Sequence, residues 1–295
     1  MDPHSQPAKL QLAPEATAEE LARRFERERR VINLQREAGL EEGLSPFRVG
    51  SVPYLNAAPL TRGIEDQLLL ATPSELAKLL RKDELDAALV SLVEVLTTDR
   101  YDILDGIAIA SLGEVQSVVV AHRRPLTEVT EIACDPASIS SVTLLRVLLA
   151  EAGLSPRLVP LEDYGQAARP EAVLLIGDVA IDFVRSSPPH QIYDLGAAWY
   201  ELTRLPFVYA VWALRRGVEN TRLRRLLRET RDFGLDTLDS IIEDRTDFDL
   251  AFRKDYLGWI IHYHLGSDEK RGIARLMELM TKHELGPVYE PRFVS

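Results

Sequence analysis

The chain has 295 residues, enough at roughly 150 per domain for two units, and its 46% hydrophobic and 27% charged composition is that of a globular protein. Its 35 lysines and arginines against 46 aspartates and glutamates leave a net charge of −11, which excludes a broad nucleic-acid or anionic-membrane surface, so an anionic ligand must be held locally. One cysteine, Cys134, excludes an internal disulfide framework; with neither a signal-peptide pattern nor an apolar run of membrane length, a cytoplasmic location is expected.

Residues 1–14 are polar and proline-containing, which predicts a disordered tail. From Ala16 to Glu42 the sequence predicts a charged helix in which arginines alternate with glutamates. Pairs three and four apart would add a few tenths of a kcal/mol each. The interleaving argues against a basic patch, and the helix reads as an appendage.

An apolar strand from Phe47 to Val52 then runs into Ser51-Val-Pro-Tyr54-Leu-Asn56-Ala-Ala-Pro59-Leu60, a turn and short helix carrying Pro59. This places free backbone N–H groups, the Asn56 carboxamide, the Tyr54 phenol and the Ser51 hydroxyl at the carboxyl end of a sheet, where open α/β folds bind ligands. Taken alone, the segment equally suits a structural turn with Asn56 as a helix cap and Tyr54 in the core.

Beyond it, Leu68 to Ala71, Ala87 to Val90, Glu131 to Cys134, Leu158 to Leu161 and Val173 to Ile176 read as buried strands. Thr72-Pro-Ser-Glu75 and Ser91-Leu-Val-Glu94 have the form of capping boxes. Such alternation predicts mainly parallel sheets covered by helices. Val115 to His122 and Pro206 to Leu214 are the longest strand candidates and bracket one block of βα units. The chain is therefore expected to leave a first lobe, build a second and return. Lobe 1 would hold residues 47–116 and 207–295, lobe 2 residues 117–206, and 1–46 would form an N-terminal extension. This is an α/β, two-lobed, type II periplasmic-binding-protein-like architecture with a ligand cleft between lobes. Helices are expected at Thr221–Arg231, Thr237–Glu243 and Asp268–His283.

Several polar residues fall where that cleft would lie. Ser117 sits in the strand crossing between lobes; without a G-x-S-x-G elbow or paired histidine it is not a hydrolase nucleophile, and a strand serine is usually structural. Ser138, Ser140 and Ser141 open the apolar helix that follows Asp135, and such a cluster at a helix start suits a carboxylate better than capping alone requires. Ser91 suits a cap but reaches the same sheet edge, while Glu94 would complete its box and so makes a poor general base. Asp178 suits a cap and is a secondary site candidate. His262 and His264, two apart, would diverge on a helix, and no H-E-x-x-H or Cys/His cluster supports a metal. No G-x-G-x-x-G or P-loop supports a nucleotide, so no cofactor is expected.

Four segments taken together are more specific: the Ser51–Leu60 run, Gly113-Glu-Val-Gln-Ser117-Val, Leu175-Ile-Gly-Asp178-Val-Ala180, and Asp194 to Trp212 with its Trp199, Pro206 and Phe207. In this order they resemble the chorismate dehydratase family of the futalosine route to menaquinone, over Phe47 to the C-terminal helices. The resemblance implies the same two-lobed fold and a lyase that dehydrates chorismate to 3-[(1-carboxyvinyl)oxy]benzoate, the first step of that route. It also implies an active-site serine at Ser117. Many members carry an arginine in the helix-start loop where this chain has Ile139, so the resemblance does not supply positive charge for the substrate carboxylates.

Because aromatisation drives the reaction, the enzyme need mainly hold the substrate, place a base at the ring C–H beside the ether, and help hydroxide depart. Asn56 and Ser117 are not strong bases, so the substrate's own enolpyruvyl carboxylate is expected to take the proton. Chorismate is then the one small-molecule partner; no nucleic acid or membrane is expected, and a homodimer is left open. Three other readings stand beside this one, of which a structural or interaction protein is supported only by the charged N-terminal helix. A sister enzyme of the same route makes a dihydroxynaphthoate but opens on a Ser-Pro-Cys-Pro-Asn type motif with a catalytic histidine. A cytoplasmic aromatic-acid binding protein would share the fold without turnover.

Overall fold

The computed structural model describes residues 17–135, 139–167 and 170–295; the tail expected at residues 1–14 and Ser138 lie outside them. The chain opens with α1 (Ala18–Leu44), β1 (Val49–Ser51), β2 (Leu69–Leu70), α2 (Pro73–Arg81), β3 (Ala87–Ser91), α3 (Leu92–Thr97) and β4 (Tyr101–Ser111). It crosses to β5 (Val118–His122), β6 (Glu131–Cys134), α4 (Ile139–Glu151), β7 (Arg157–Pro160), β8 (Ala172–Ile176), α5 (Gly177–Arg185), β9 (Gln191–Asp194) and α6 (Leu195–Thr203). It returns as β10 (Phe207–Arg215) and ends with α7 (Thr221–Asp236), α8 (Leu238–Asp244), α9 (Leu250–Asp255), α10 (Ser267–Lys282) and β11 (Arg292–Val294).

Two mixed sheets result, ordered β11-β4-β10-β3-β1-β2 and β7-β6-β8-β5-β9. In the first, β3 is parallel to β1 and antiparallel to the returning β10. Its Ala87-Ala-Leu-Val-Ser91 is buried at every position, as a strand covered on both faces must be. The Thr72 capping box forms as its sequence requires: the Thr72 hydroxyl accepts from Glu75 N–H, the Glu75 carboxylate accepts from Thr72 N–H, and Pro73 starts α2.

Elsewhere the elements differ from expectation for identifiable reasons. The stretch Leu68–Ala71 forms only the two-residue edge strand β2, and Leu69 and Leu70 are exposed instead of buried. The edge strand β7 is likewise only partly covered. Strand β5 begins at Val118, not Val115, because the Asp194 carboxylate takes the N–H groups of Val115 (3.1 Å) and Gln116 (2.7 Å) and Gln116 adopts φ 61°. The eleven-residue β4 was missed: Asp102, Asp105 and Gly106 interrupt its apolar pattern, and its register with β10 shifts between Val211 and Ala213. A β-bulge accommodates the interruption that hides the strand in the sequence.

The end of α1 is more than an appendage. Leu40 and Leu44 are buried, Gly43 lies against Leu226 of α7, and Arg36 pairs with Asp236 while stacking on Phe233. Truncating a fully buried leucine such as Leu44 costs about 2–5 kcal/mol, whereas an exposed ion pair contributes at most about 1 kcal/mol. Apolar packing therefore dominates this junction. The outer part of α1 leaves Phe25, Val31, Ile32 and Leu34 exposed.

Candidate active site

The first sheet ends at its carboxyl edge in Val52 and the short 3₁₀ helix Leu55–Leu60. Gly234 of α7 holds this helix close, for a Cβ there would come within 1.8 Å of the Pro59 carbonyl oxygen. Between the two sheets lies a narrow cleft with roughly 80 Å³ open to a water-sized sphere. Val52, Leu89, Ile109, Val118 and Ile176 make it apolar, while Tyr54, Asn56, Ser91, Ser117, Ser140 and Ser141 bring polar groups to it.

Asn56 does not cap a helix. Its Nδ2 donates to the Tyr256 phenol oxygen at 3.3 Å, and its Oδ1 is buried with no hydrogen-bond partner among the described residues. Tyr256 is fully buried, and burial pushes its phenol far above the ordinary tyrosine value, opposed by hydrogen bonding from Ser117 and from Asn56. One phenol thus ties the two central candidates together. It sits on a π-helical turn, Tyr256–Ile260, directly after α9, a backbone form frequent at functional sites. Sequence reasoning missed Tyr256. Its neighbours Asp255, Leu257 and Gly258 carry no signal pointing to a partner 200 positions away.

On the second lobe, Ser140 and Ser141 stand in the first turn of α4, whose N–H groups have no intrahelical acceptor. The Ser140 hydroxyl lies 2.5 Å from that of Ser91 and donates to the Tyr209 carbonyl at 3.1 Å. This overturns the expected Ser91–Glu94 capping box. Ser91 makes no capping bond to α3, and Glu94 instead receives a bidentate pair from Arg81 at 2.7 and 2.6 Å. Both side chains found better partners far away in sequence.

Asp178 is also corrected. It makes no cap on α5; its carboxylate accepts the Leu55 N–H at 3.1 Å from the opposite lobe, and burial raises its pKa above the usual carboxylate range. Beside it Gly177, at φ 61°, lets the Tyr54 ring pack so closely that a Cβ would lie 3.1 Å from it. Burial, with Asp135 and Asp178 nearby, pushes the Tyr54 phenol up to about 12. Ser51 is fully buried, with its hydroxyl toward the Val52 carbonyl, and is not part of the cleft lining.

Further bonds hold the lobes together: Arg185 of α5 pairs with Asp249, and Glu151 of α4 pairs with Lys282 (2.6 Å) and His283 (2.5 Å). No lysine or arginine lines the cleft among the described residues. An anion there would be met by hydroxyls, a carboxamide and helix-start N–H groups. His262 and His264 lie outside the cleft lining. Their segment is extended, not helical, with His262 bridged to Ala110 of β4, so the two rings share a face and stack at 5.4 Å instead of diverging.

Residues 47–282 match the model of a family described as menaquinone biosynthesis. A chorismate dehydratase of Thermus thermophilus is 33% identical over 276 residues, covering 85% of this chain and 99% of its own. Among solved structures, a protein from Archaeoglobus fulgidus superposes with a TM-score of 0.66 at 19% identity, over 81% of this chain and 98% of its own. A Candida albicans protein described as having the generic periplasmic binding protein fold gives 0.59 at 11% identity, over 83% and 92%. The two-lobed α/β architecture is therefore periplasmic-binding-protein-like. The chain belongs to the chorismate dehydratase family of menaquinone biosynthesis.

Proposed function

We propose that this protein is a chorismate dehydratase, a hydro-lyase that converts chorismate to 3-[(1-carboxyvinyl)oxy]benzoate and water at the head of the futalosine route. The observation that carries the reading is the Asn56–Tyr256–Ser117 constellation at the base of an interlobe cleft, in a chain of this family. Among the described residues the cleft supplies positioning groups and no paired strong base, which suits an elimination that aromatises its own substrate.

In this mechanism the enolpyruvyl carboxylate of chorismate takes the proton from the ring carbon bearing the ether. The C–H electron pair forms the new ring double bond, the neighbouring C–O bond breaks, and the departing hydroxide takes the proton from the enolpyruvyl carboxylic acid just formed, leaving as water and restoring the carboxylate. Asn56 and Ser117 orient the carboxylate and ring as the catalytic pair. Turning the Asn56 amide over would let Tyr256 donate to Oδ1 and present both amide N–H groups to the carboxylate. Ser91, Ser140, Ser141 and Tyr54 bind the other end of the substrate, and Ser138, outside the described residues, is carried from the sequence as a further substrate-binding candidate. Asp178 acts indirectly, through Leu55. Ser51 is kept as a support of the turn.

We take lobe 1 as residues 47–116 and 207–295, lobe 2 as 117–206, and 1–46 as the extension, with the enzyme acting in the cytoplasm. Sedimentation would read whether the protein forms a homodimer. The function itself is tested by incubating purified protein with chorismate, without added metal or cofactor, and following the aromatic protons of the product by NMR. Stoichiometric conversion is expected. Saturable binding with chorismate left intact would make the protein a binding protein instead.

A further inference from the structure

A second cluster lies in a surface hollow beside the returning crossover Leu205–Pro206. After the π-helical turn that carries Tyr256, the chain runs extended and pairs with β4 through Ala110 N–H to the His262 carbonyl (3.0 Å) and His262 N–H to the Ala110 carbonyl (2.8 Å). Residues two apart on an extended segment share a face, so the His262 and His264 rings lie nearly parallel, 19° apart. Glu269 arrives from the first turn of α10. It is 3% exposed, and its Oε2 accepts the Gly266 N–H at 2.8 Å, which fixes the carboxylate and leaves Oε1 3.1 Å from His264 Nε2.

From this geometry we propose that His262, His264 and Glu269 form a binding site for one divalent transition-metal ion of the zinc type. One ligand atom from each residue lies within 4.8 Å of the other two. Atoms bound about 2.1 Å from one tetrahedral ion stand roughly 3.4 Å apart, so the Glu269–His264 pair already has that spacing and small rotations bring in the third. Two imidazoles with one carboxylate favour zinc, cobalt or nickel over magnesium or calcium.

An ion pair with a helix cap accounts for the Glu269–His264 contact alone. It does not account for His262, whose Nδ1 is buried without a hydrogen-bond partner among the described residues. The cations of the hollow are engaged elsewhere: Arg271 pairs with Asp268 and Arg204 lies over the Tyr200 ring. A bound ion would tie α10 to the segment that follows Tyr256 and to β4, whose Ile109 lines the cleft. Its role is to hold this wall, not to touch substrate.

The test uses the full chain, stripped with EDTA, dialysed and titrated with Zn²⁺ against a chromophoric chelator, with Co²⁺ absorption as a second readout. One ion per chain is expected, with visible cobalt bands of low coordination number. His264→Ala, at a position whose side chain is 61% exposed, should fold normally by circular dichroism and weaken zinc binding by at least about tenfold. Glu269→Gln keeps an acceptor for Gly266 and should weaken it as well. Absence of stoichiometric zinc uptake by the wild type, or equal uptake by a folded His262→Ala/His264→Ala double variant, would overturn the proposal.

Discussion

The two walls of the cleft are built differently. The lobe-1 wall fixes Asn56 through a phenol buried in the core, and Ser117, the first residue of lobe 2, faces the same phenol. The lobe-2 wall offers the first turn of α4, and its Ser140 is shared between Ser91 and a backbone carbonyl of the other lobe. A group held from behind by a buried partner keeps its aim while the substrate changes, whereas hydroxyls that bond across the cleft can exchange those bonds for a ligand. The first wall is therefore assigned to the reaction and the second to binding.

The largest effect expected is that of Asn56→Ala, which should lower kcat by about 10²–10³, the cost of deleting one preorganised donor, with little change in melting temperature. Ser117→Ala should act in the same direction with a smaller loss. Near wild-type kcat in Asn56→Ala would erase the difference between the walls. Next comes Tyr256→Phe, which leaves both groups in the cleft but unties them; a drop in kcat of about tenfold with KM nearly constant is expected. If KM rose instead and kcat held, Tyr256 would belong to binding.

Ser140→Ala probes the opposite wall and should raise KM by about three- to tenfold, the worth of one hydrogen bond, while leaving kcat within about twofold. Steady-state kinetics decide this directly, and a kcat loss as large as that of Asn56→Ala would contradict the division. The smallest effect is on stability. Burial raises the Asp178 pKa, so the folded state holds this proton more tightly than the unfolded chain, and stability contributed by the neutral form is lost as pH rises through the raised value. Asp178→Asn, which keeps an acceptor for Leu55, should therefore melt at or up to about 3 °C above wild type at pH 7. The difference should shrink as pH falls through the carboxylate range; a lower melting temperature at pH 7 would mean that the charged bond to Leu55 outweighs its desolvation.

Parts of this arrangement were legible because their causes are local. The Thr72 box needs only four adjacent residues, and the β1 strand with its Pro-Tyr-Leu-Asn turn is carried by one continuous segment. What escaped reading depends on partners far along the chain. Ser91 and Glu94 have the spacing of a cap, yet each is captured from outside, by Ser140 and Arg81. Asp178 looked like a cap and spans the cleft to Leu55. The polar break in β4 is absorbed by a register shift with β10, which sequence alone cannot pair with it. Tyr256 was invisible for the same reason, since its meaning comes from Asn56 and Ser117.

The central claim is that the lobe-1 wall positions a substrate which supplies its own base. The most direct measurement is the single-turnover rate, at saturating concentration, of a chorismate analogue that keeps the ring and C4 hydroxyl but lacks the enolpyruvyl carboxylate. Saturation removes the separate effect of weaker anchoring from the comparison. Elimination from the saturated complex is expected to fall to a small fraction of the chorismate rate. Near-normal elimination would contradict the claim and place the base on the protein.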